Sequence, residues 1–463
     1  MTGRQGDFTQ GKVSSLILRL GLPIVLAEMV HVLYNIVDRA FIGHMKGDGT
    51  VALTGLGVCF PLITLIGAFA NLCSTGGATL STIARGENDD ARAARIMETA
   101  FTFLLSIGGV LTVLLFFTAP LTLELLGGDK DSLPYALDYF RIYVVGTVPV
   151  LISLGMNPFI NAQGFPRVGM KTVIIGALLN TALDPLFIFV FEMGVRGAAL
   201  ATVLSQLVSA AWVLRFLCGK RPPVRLRRLR FDWTQLKNVM KLGVTGFTFK
   251  VTNSVTQAIV NVMLKAWGGP MYGPYIGAMS LINSIREIMS LPINGITSGG
   301  QNVMSFNYGA KHYDRVIAAI RFILLGGLTL NTLMWALVMF VPRPLIAVFT
   351  DNTELVALTA ACARIYFGAF PFMALQVTGQ NTFVGLNYPK HALFFSMLRK
   401  IVLVAPLTLL LPGLGLGVKG VFAAELISQI CGATACFTTM YRVVWRKLRR
   451  TASVGIENAE LRM

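Results

Sequence analysis

The sequence predicts an all-α polytopic membrane protein, with twelve transmembrane helices in two six-helix lobes related by a parallel repeat. Of its 463 residues, 54% are hydrophobic and only 13% are charged, and the mean hydropathy is +0.66. Soluble proteins carry about 25% charged residues, so this composition indicates a chain that lies largely in lipid. The apolar stretches, an internal repeat and the placement of charge supply the rest of the prediction.

Twelve stretches are long and apolar enough to cross a membrane as helices, for which about 20 residues suffice. The predicted spans are 13–44, 56–84, 96–118, 136–162, 170–191, 195–217, 236–267, 274–308, 316–341, 360–386, 392–411 and 417–441. Several exceed the minimum length, which predicts tilt or extension beyond the membrane.

The two halves of the chain repeat each other at a shift of 222–223 residues. The matching landmarks are Arg19-Leu20-Gly21 with Lys241-Leu242-Gly243, Gly76-Gly77 with Gly299-Gly300, Arg141-Ile142-Tyr143 with Arg364-Ile365-Tyr366, and Pro166 with Pro389. A repeat of six helices returns the chain to the same side, so the halves have parallel topology. We therefore expect an N-lobe over 1–217, a basic linker over 218–235, a C-lobe over 236–445 and a tail over 446–463.

The net charge of +18 follows the predicted topology. Lys and Arg crowd the even-numbered loops, the linker and the tail, whereas the odd-numbered loops carry about one each. The positive-inside rule then places both termini and the linker in the cytoplasm, in a protein of the cell membrane. We expect the basic linker to lie on anionic membrane lipids rather than on nucleic acid.

The first predicted helix carries a line of polar side chains through an apolar segment. Glu28, His31, Asn35 and Asp38 fall on one helical face, because their spacing is i, i+3, i+7 and i+10. A charge at the bilayer centre costs at least ~2.5–3.5 kcal/mol, so this face must meet protein or a water-filled cavity. The default interpretation is a transport pathway.

The fifth and sixth helices add a second polar group. Asn180 and Asp184 are four residues apart and share a face, Pro185 disturbs the local backbone hydrogen bonds, and Thr202 follows on the next helix. Carboxylate, amide and hydroxyl oxygens suit a hard cation such as Na⁺, and the carboxylates can instead hold protons. The alternative for Asn180 and Thr202 is a simple interhelical hydrogen bond.

The sequence gives little support for ATP-driven transport or for catalysis. It contains no Walker motif for an ATP-driven pump, and Gly415-x-Gly417-x-x-Gly420 lies between apolar helices without the strand that a dinucleotide site requires. There is no clustered nucleophile or metal set, so we expect no enzyme activity. We expect no cofactor apart from H⁺ or Na⁺ as coupling ion.

At these motifs the chain resembles the multidrug and toxic compound extrusion (MATE) transporters, in particular the prokaryotic branch whose cation site lies in the N-lobe. The matching motifs are Leu20-Gly-Leu-Pro23, Leu33-Tyr-Asn-Ile-Val-Asp38, Leu179-Asn-Thr-Ala-Leu-Asp-Pro185 and Gly194-Val-Arg-Gly-Ala-Ala199 with Thr202. The twelve-helix repeat extends the likeness over nearly the whole chain.

The resemblance implies a secondary active multidrug efflux transporter, exporting amphipathic, mostly cationic compounds in exchange for H⁺ or Na⁺ by alternating access. It implies that Asp38, Asn180, Asp184 and Thr202 form the coupling site, as Na⁺ ligands if Na⁺ is the ion. It also implies that helix one bends near Pro23. We expect the chain to function as a monomer.

Four C-lobe residues, Lys250, Gln257, Glu287 and Glu425, join Glu28, His31, Asn35 and Pro23 as substrate or gating candidates. Lys250 stands where the related branch with a C-lobe site has a glutamate. The repeat places Lys250 opposite Glu28, so one expectation is that these two residues pair across a cleft. The alternative is that Lys250 pairs with Glu287 or Glu425. Glu425 falls opposite Thr202 and is expected to lack the helix-seven and helix-eleven partners that complete a site.

Two other transport functions remain as alternatives. A lipid-linked saccharide flippase of the same superfamily shares the two lobes, but its pyrophosphate head group calls for a more basic cleft. An ion channel needs polar rings along a continuous pore, whereas the polar residues here are concentrated in one lobe.

Overall fold

The computed structural model describes residues 8–43, 45, 49–126, 130–350 and 352–452, without the side chains of residues 39, 40, 49 and 50. Every regular element in these ranges is helical. Helices satisfy their backbone hydrogen bonds internally, which segments in lipid require because no water is present there to do so.

The described residues of the first half of the chain form eight α-helices. They are α1 (Val13–Gly43), α2 (Gly49–Cys73), α3 (Thr79–Gly86), α4 (Asp90–Leu125), α5 (Leu133–Val145), α6 (Thr147–Ala162), α7 (Pro166–Pro185) and α8 (Val195–Leu217). A π-helical turn, Ser74–Ala78, joins α2 to α3, and a second, Leu186–Val190, continues α7 beyond Pro185. The predicted disturbance at Pro185 is therefore present.

The second half, as far as the structure describes it, forms nine more. They are α9 (Trp233–Trp267), α10 (Tyr272–Gly309), α11 (Tyr313–Phe340), α12 (Pro342–Ala347), α13 (Thr353–Tyr366), α14 (Met373–Gly385), α15 (Pro389–Met397), α16 (Ala405–Leu410) and α17 (Val418–Met440). Short 3₁₀ segments, Gly269–Met271 and Phe370–Phe372, precede α10 and α14. π-helical segments Leu398–Val404, Pro412–Leu416 and Tyr441–Trp445 follow α15, α16 and α17.

The helices give the twelve predicted crossings. In the described ranges, eight spans are long and apolar enough to cross a membrane, and two bent pairs raise the number to ten. Helices α9 and α10, of 35 and 38 residues, are also long enough. They carry charge within their apolar stretch, Lys250 in α9 and Arg286 with Glu287 in α10.

Two predicted spans are bent rather than continuous. The span predicted at 136–162 breaks between α5 and α6 with a bend of 59°, and the span predicted at 360–386 bends by 49° between α13 and the segment Phe370–Gly385. Pro149 and Pro371, which the repeat relates, each follow the break. Proline donates no backbone N–H and its ring clashes with the carbonyl four residues earlier, which bends a helix there.

The chain divides into two compact units. Among the described residues, unit 1 contains Pro23–Phe247, and unit 2 contains Phe8–Leu22 together with 248–452. The predicted lobes follow chain order, whereas the units exchange the beginnings of α1 and α9. Each of these helices therefore starts in one unit and continues in the other.

Unit 1 holds the start of α9 by a close helix crossing. A Cβ atom on Gly76 would lie 2.1 Å from the carbonyl oxygen of Val239, and one on Gly243 would lie 2.0 Å from that of Leu72. These distances are too short for any side chain, so the backbones approach as only glycine allows. The start of α9 is thereby fixed to α2 and the π turn.

Unit 2 repeats this crossing with the start of α1. A Cβ atom on Gly21 would lie 2.6 Å from the carbonyl oxygen of Gly295, and one on Gly299 would lie 2.7 Å from that of Ile17. The glycines of the two crossings are landmarks of the sequence repeat. The landmarks thus mark the contacts that hold the exchanged segments.

The basic linker is fixed to unit 1 at several points. The Gln163 side-chain oxygen accepts a hydrogen bond from the backbone N–H of Val224 at 2.9 Å. The buried carboxylate of Glu98 accepts one from the backbone N–H of Arg228 at 3.2 Å. The linker therefore packs on the end of the helices that it follows.

We predict that Gly76→Ala destabilises the protein by about 3 kcal/mol or more, because the new methyl group meets backbone that has no rotamer to escape into. Thermal melting of the purified protein, followed as the monodisperse fraction by size exclusion, measures the change. Gly67→Ala is the control: no atom lies within 4 Å of its Cβ position, so its melting point is expected to stay or rise. Equal melting points for both variants would contradict the crossing.

Candidate functional site

The four predicted coupling residues come together within unit 1. Asn180 and Asp184 are both buried on α7, and the Asn180 amide donates to the Asp184 carboxylate at 3.1 Å. The same amide donates to the Thr202 hydroxyl on α8 at 3.4 Å. The side chain of Asp38, on α1, lies within hydrogen-bonding reach of Asp184. Three helices thus converge on one polar group.

The two carboxyl groups are the central feature of this group. Two neighbouring carboxylates repel each other when both are ionised, and the low dielectric of the surroundings strengthens the repulsion. A proton shared between them, or a cation beside them, removes it. Each carboxyl group alone has no such requirement, so this property belongs to the pair.

Oxygen atoms without donors make the group suitable for a cation. The Asn180 side-chain oxygen and Oδ2 of Asp184 are buried and accept no hydrogen bond from amides or hydroxyls of the described residues. Carboxylate and amide oxygens are ligands that hard cations prefer. Within the same ranges no group of three or more His, Cys, Asp and Glu side chains is placed to hold a metal ion. The donor set therefore fits Na⁺ or protons.

Three tyrosines that the sequence reasoning missed surround these acids. Tyr34 and Tyr139 interact electrostatically with Asp38, and Tyr139 hydrogen-bonds with Thr202. The ring of Tyr143 stacks on that of Tyr139, with centroids 6.0 Å apart. Tyr143 belongs to a repeat landmark, which is the one signal that could have drawn attention to it.

A cavity of about 120 Å³ adjoins the coupling residues in unit 1. Its polar lining includes His31, Tyr34, Asn180, Thr202 and Gln206. Drug-sized ligands occupy pockets of about 300–1,000 Å³, so this space is too small for them. It has the volume of about four water molecules, which suits the path of an ion.

The polar face of α1 is only partly drawn into this site. Asp38 is one of the two acids. His31 lines the cavity, and its ring lies 5.0 Å from that of Tyr34. The Asn35 amide donates to the backbone carbonyl of His31 at 2.7 Å instead. Glu28 is half-buried and lies outside the cavity lining. Pro23 is inside α1, where unit 1 begins.

In unit 2 the predicted gating residues do not form one group. The Gln257 side chain accepts from the Asn283 amide at 3.1 Å and donates to Asn261 at 3.2 Å. Lys250 and Glu287 are both exposed, and within the described ranges neither forms an ion pair. The pairing of Lys250 with Glu287 is therefore wrong.

Glu425 does have partners on the eleventh predicted helix, but they are cations and do not complete a cation site. Its carboxylate pairs with Arg399 at 2.8 Å and with Lys400 at 3.3 Å, so it is not the partner of Lys250. Arg399 also donates to the side chain of Gln429. Both cations lie on the π-helical segment Leu398–Val404, and their adjacent positions in an apolar span were the signal that sequence reasoning passed over.

Comparison with known proteins identifies the family of this arrangement. The MatE family model matches residues 23–186 and 250–410. The multidrug export protein MepA of Staphylococcus haemolyticus is 22% identical over 444 residues, covering 93% of this chain and 94% of the relative. An FAD transporter of Shewanella oneidensis is 23% identical over 448 residues, covering 93% of this chain and 95% of the relative.

A solved structure shows the same fold. It is described as the outward-facing conformation of a multidrug resistance MATE family transporter, and it superposes with a TM-score of 0.89 at 20% identity, covering 97% of this chain and all of the other. The chain therefore belongs to the MatE family, whose members are multi-pass membrane transporters and not enzymes.

Proposed function

We propose that the protein is a secondary active multidrug exporter that moves amphipathic, mostly cationic compounds in exchange for H⁺ or Na⁺. The observation that carries the proposal is the pair of interacting carboxyl groups, the half-buried Asp38 and the buried Asp184, on separate helices of unit 1. The relative named a multidrug export protein supports the choice of cargo.

The acid pair gives the exchange its physical basis. A ligand shifts an equilibrium between two conformations only if it binds them with different affinity. The carboxyl groups approach each other closely only when a proton or cation is present, so ion binding favours the conformation that brings α1 against α7. Release of the ion restores the repulsion and favours separation of the two helices. Drug and ion exchange if they favour opposite conformations.

Helix α1 is suited to transmit this change. It runs as one helix from its start in unit 2 to Asp38 in unit 1, with Pro23 at the division. The missing N–H of proline weakens the helix at that point. A bend at Pro23 in this protein would let Asp38 move while the start of α1 stays fixed.

The orientation that we propose places both termini and the basic linker in the cytoplasm, in the cell membrane. The excess of Lys and Arg in the linker and the even-numbered loops supports it. Anionic lipids are the proposed partners of the exposed linker arginines, which include Arg227 and Arg228.

We predict that Asp38→Asn and Asp184→Asn each reduce gradient-driven efflux of ethidium from proteoliposomes to the level of empty liposomes. Either change leaves one carboxyl group without the repulsion that ion binding relieves. The assay imposes pH and Na⁺ gradients separately, so the gradient that drives the wild type identifies the coupling ion. Asp138→Asn is the matched control, since this acid of unit 1 is solvent-exposed and pairs with Arg196 at 3.0 Å. Wild-type efflux by either site variant would refute the assignment.

We predict that ion coupling is confined to unit 1. Glu425→Gln leaves Arg399 and Lys400 buried without their carboxylate, which is expected to cost about 3–5 kcal/mol of stability. Melting and yield should fall, yet the dependence of the remaining flux on H⁺ or Na⁺ should match the wild type. A change of coupling ion or loss of ion dependence in this variant would contradict the prediction.

The orientation is tested by labelling. In a background without the six native cysteines, Arg225→Cys and Lys130→Cys should react with a membrane-impermeant maleimide from opposite sides of the membrane. We expect Arg225→Cys to be protected in intact cells and Lys130→Cys to be labelled. Reaction of both from the same side would contradict the proposed topology.

A further inference from the structure

The buried charges around Glu425 in unit 2 do not balance. Arg399 and Lys400 share the single carboxylate, and the side chains of Lys400 and Glu425 are only 5% and 11% exposed. Arg286 faces the same small cavity and adds a third positive charge. Within the described ranges it forms no ion pair within 4 Å. The cluster therefore carries an excess of positive charge, of which the part on Arg286 is half-buried.

Arg286 also has an unfilled hydrogen-bonding group. Its Nε atom is buried and donates to no acceptor in the described part of the chain. The neighbouring acid on the helix, Glu287, is exposed, and Glu425 is already held by two other cations. A buried donor without an acceptor is costly, and a native structure that keeps one requires an explanation.

The cavity beside Arg286 has the lining of an anion site. It measures about 20 Å³, which is room for one oxygen atom of an acid group or one water molecule. The donors on its wall are the guanidinium of Arg286, the ammonium of Lys400 and the hydroxyl of Tyr366. The carboxylate of Glu425, which pairs with Lys400, also lines the cavity. The amide side chains of Asn253 and Gln257 and the side chain of Thr256, whose hydroxyl donates to the backbone carbonyl of Thr252, complete the polar part of the lining.

We propose that this cavity binds an anionic oxygen of the transported compound, from a carboxylate or a phosphate group. The proposal rests on the export function and adds amphipathic compounds that carry an acid group to its mostly cationic cargo. Arg286 is the binding residue, because a guanidinium donates charge-assisted hydrogen bonds to such oxygens. Lys400 is held by Glu425 in the same lining and supplies the second positive charge.

Flavin mononucleotide and riboflavin test the proposal, because they share one fluorescent ring and differ by a phosphate. Binding of each to the purified full chain in detergent micelles is followed by fluorescence anisotropy. We expect the wild type to bind the phosphate form at least about tenfold more tightly, the effect of one charge-assisted hydrogen bond. Arg286→Gln should abolish this ratio, and Arg286→Lys should restore part of it.

Arg364→Gln is the matched control, since this arginine precedes Tyr366 on α13 but is exposed and does not line the cavity. Its ratio of affinities should equal that of the wild type. Equal binding of the two flavins by the wild type, or a ratio that survives Arg286→Gln, would overturn the proposal. The ratio compares two ligands on the same preparation, so a general loss of stability does not produce the expected result.

Competition separates the two acid groups. Displacement of flavin mononucleotide by inorganic phosphate supports a phosphate cargo, and displacement by acetate supports a carboxylate cargo. If neither anion displaces it, the preference for flavin mononucleotide over riboflavin arises outside the cavity, and the proposal is overturned. The flavin measurements need no ion gradient. A failure of coupled export in the Asp38→Asn experiment is therefore recognised separately from a failure here.

Discussion

An ionised side chain inside a membrane protein needs a compensating charge, and much of this structure follows from how each unit provides one. In unit 1 two carboxyl groups, Asp38 and Asp184, lie together on different helices. We propose that their compensation comes from outside, as a proton or a cation. In unit 2 the carboxylate of Glu425 is compensated by the protein itself, through Arg399 and Lys400. In the proposed mechanism, the first arrangement depends on an exchangeable ion and the second does not.

The sequence repeat shows how one fold yields both arrangements. At a shift of 223 residues, Arg399 and Lys400 correspond to Gly176 and Ala177, and Glu425 corresponds to Thr202. Gly176, Ala177 and Thr202 line the cavity of about 120 Å³ in unit 1. Long cationic side chains occupy the equivalent place in unit 2, where about 20 Å³ is left. Small residues thus open a space for an ion in one unit, and large charged residues fill it in the other.

What the sequence could predict depended on local pattern. Apolar length located the helices, and the i, i+4 spacing placed Asn180 beside Asp184, because both follow from the geometry of one helix. The partners of Glu425 lie 25 and 26 residues earlier in the chain on another helix, and no local period reveals them. The bends at Pro149 and Pro371 have a cause in the sequence, the prolines themselves. Each proline lies in a continuous apolar run, however, and such a run predicts one uninterrupted helix. The sequence could not predict that α1 and α9 each begin in the other unit. That depends on which glycines contact the backbone of a distant helix, and the sequence does not give those contacts.

Those glycine crossings connect the two ionic arrangements to the rest of the fold. Gly21 and Gly299 fix the start of α1 in unit 2, and Gly76 and Gly243 fix the start of α9 in unit 1. Helix α1 then carries Asp38 to the acid pair. In the proposed mechanism, the ion acts on a helix whose other end cannot slide, because a shift along the crossing would drive backbone atoms into contact. The movement that ion binding selects must then be a bend within α1, and Pro23, which donates no backbone N–H, weakens the helix against it.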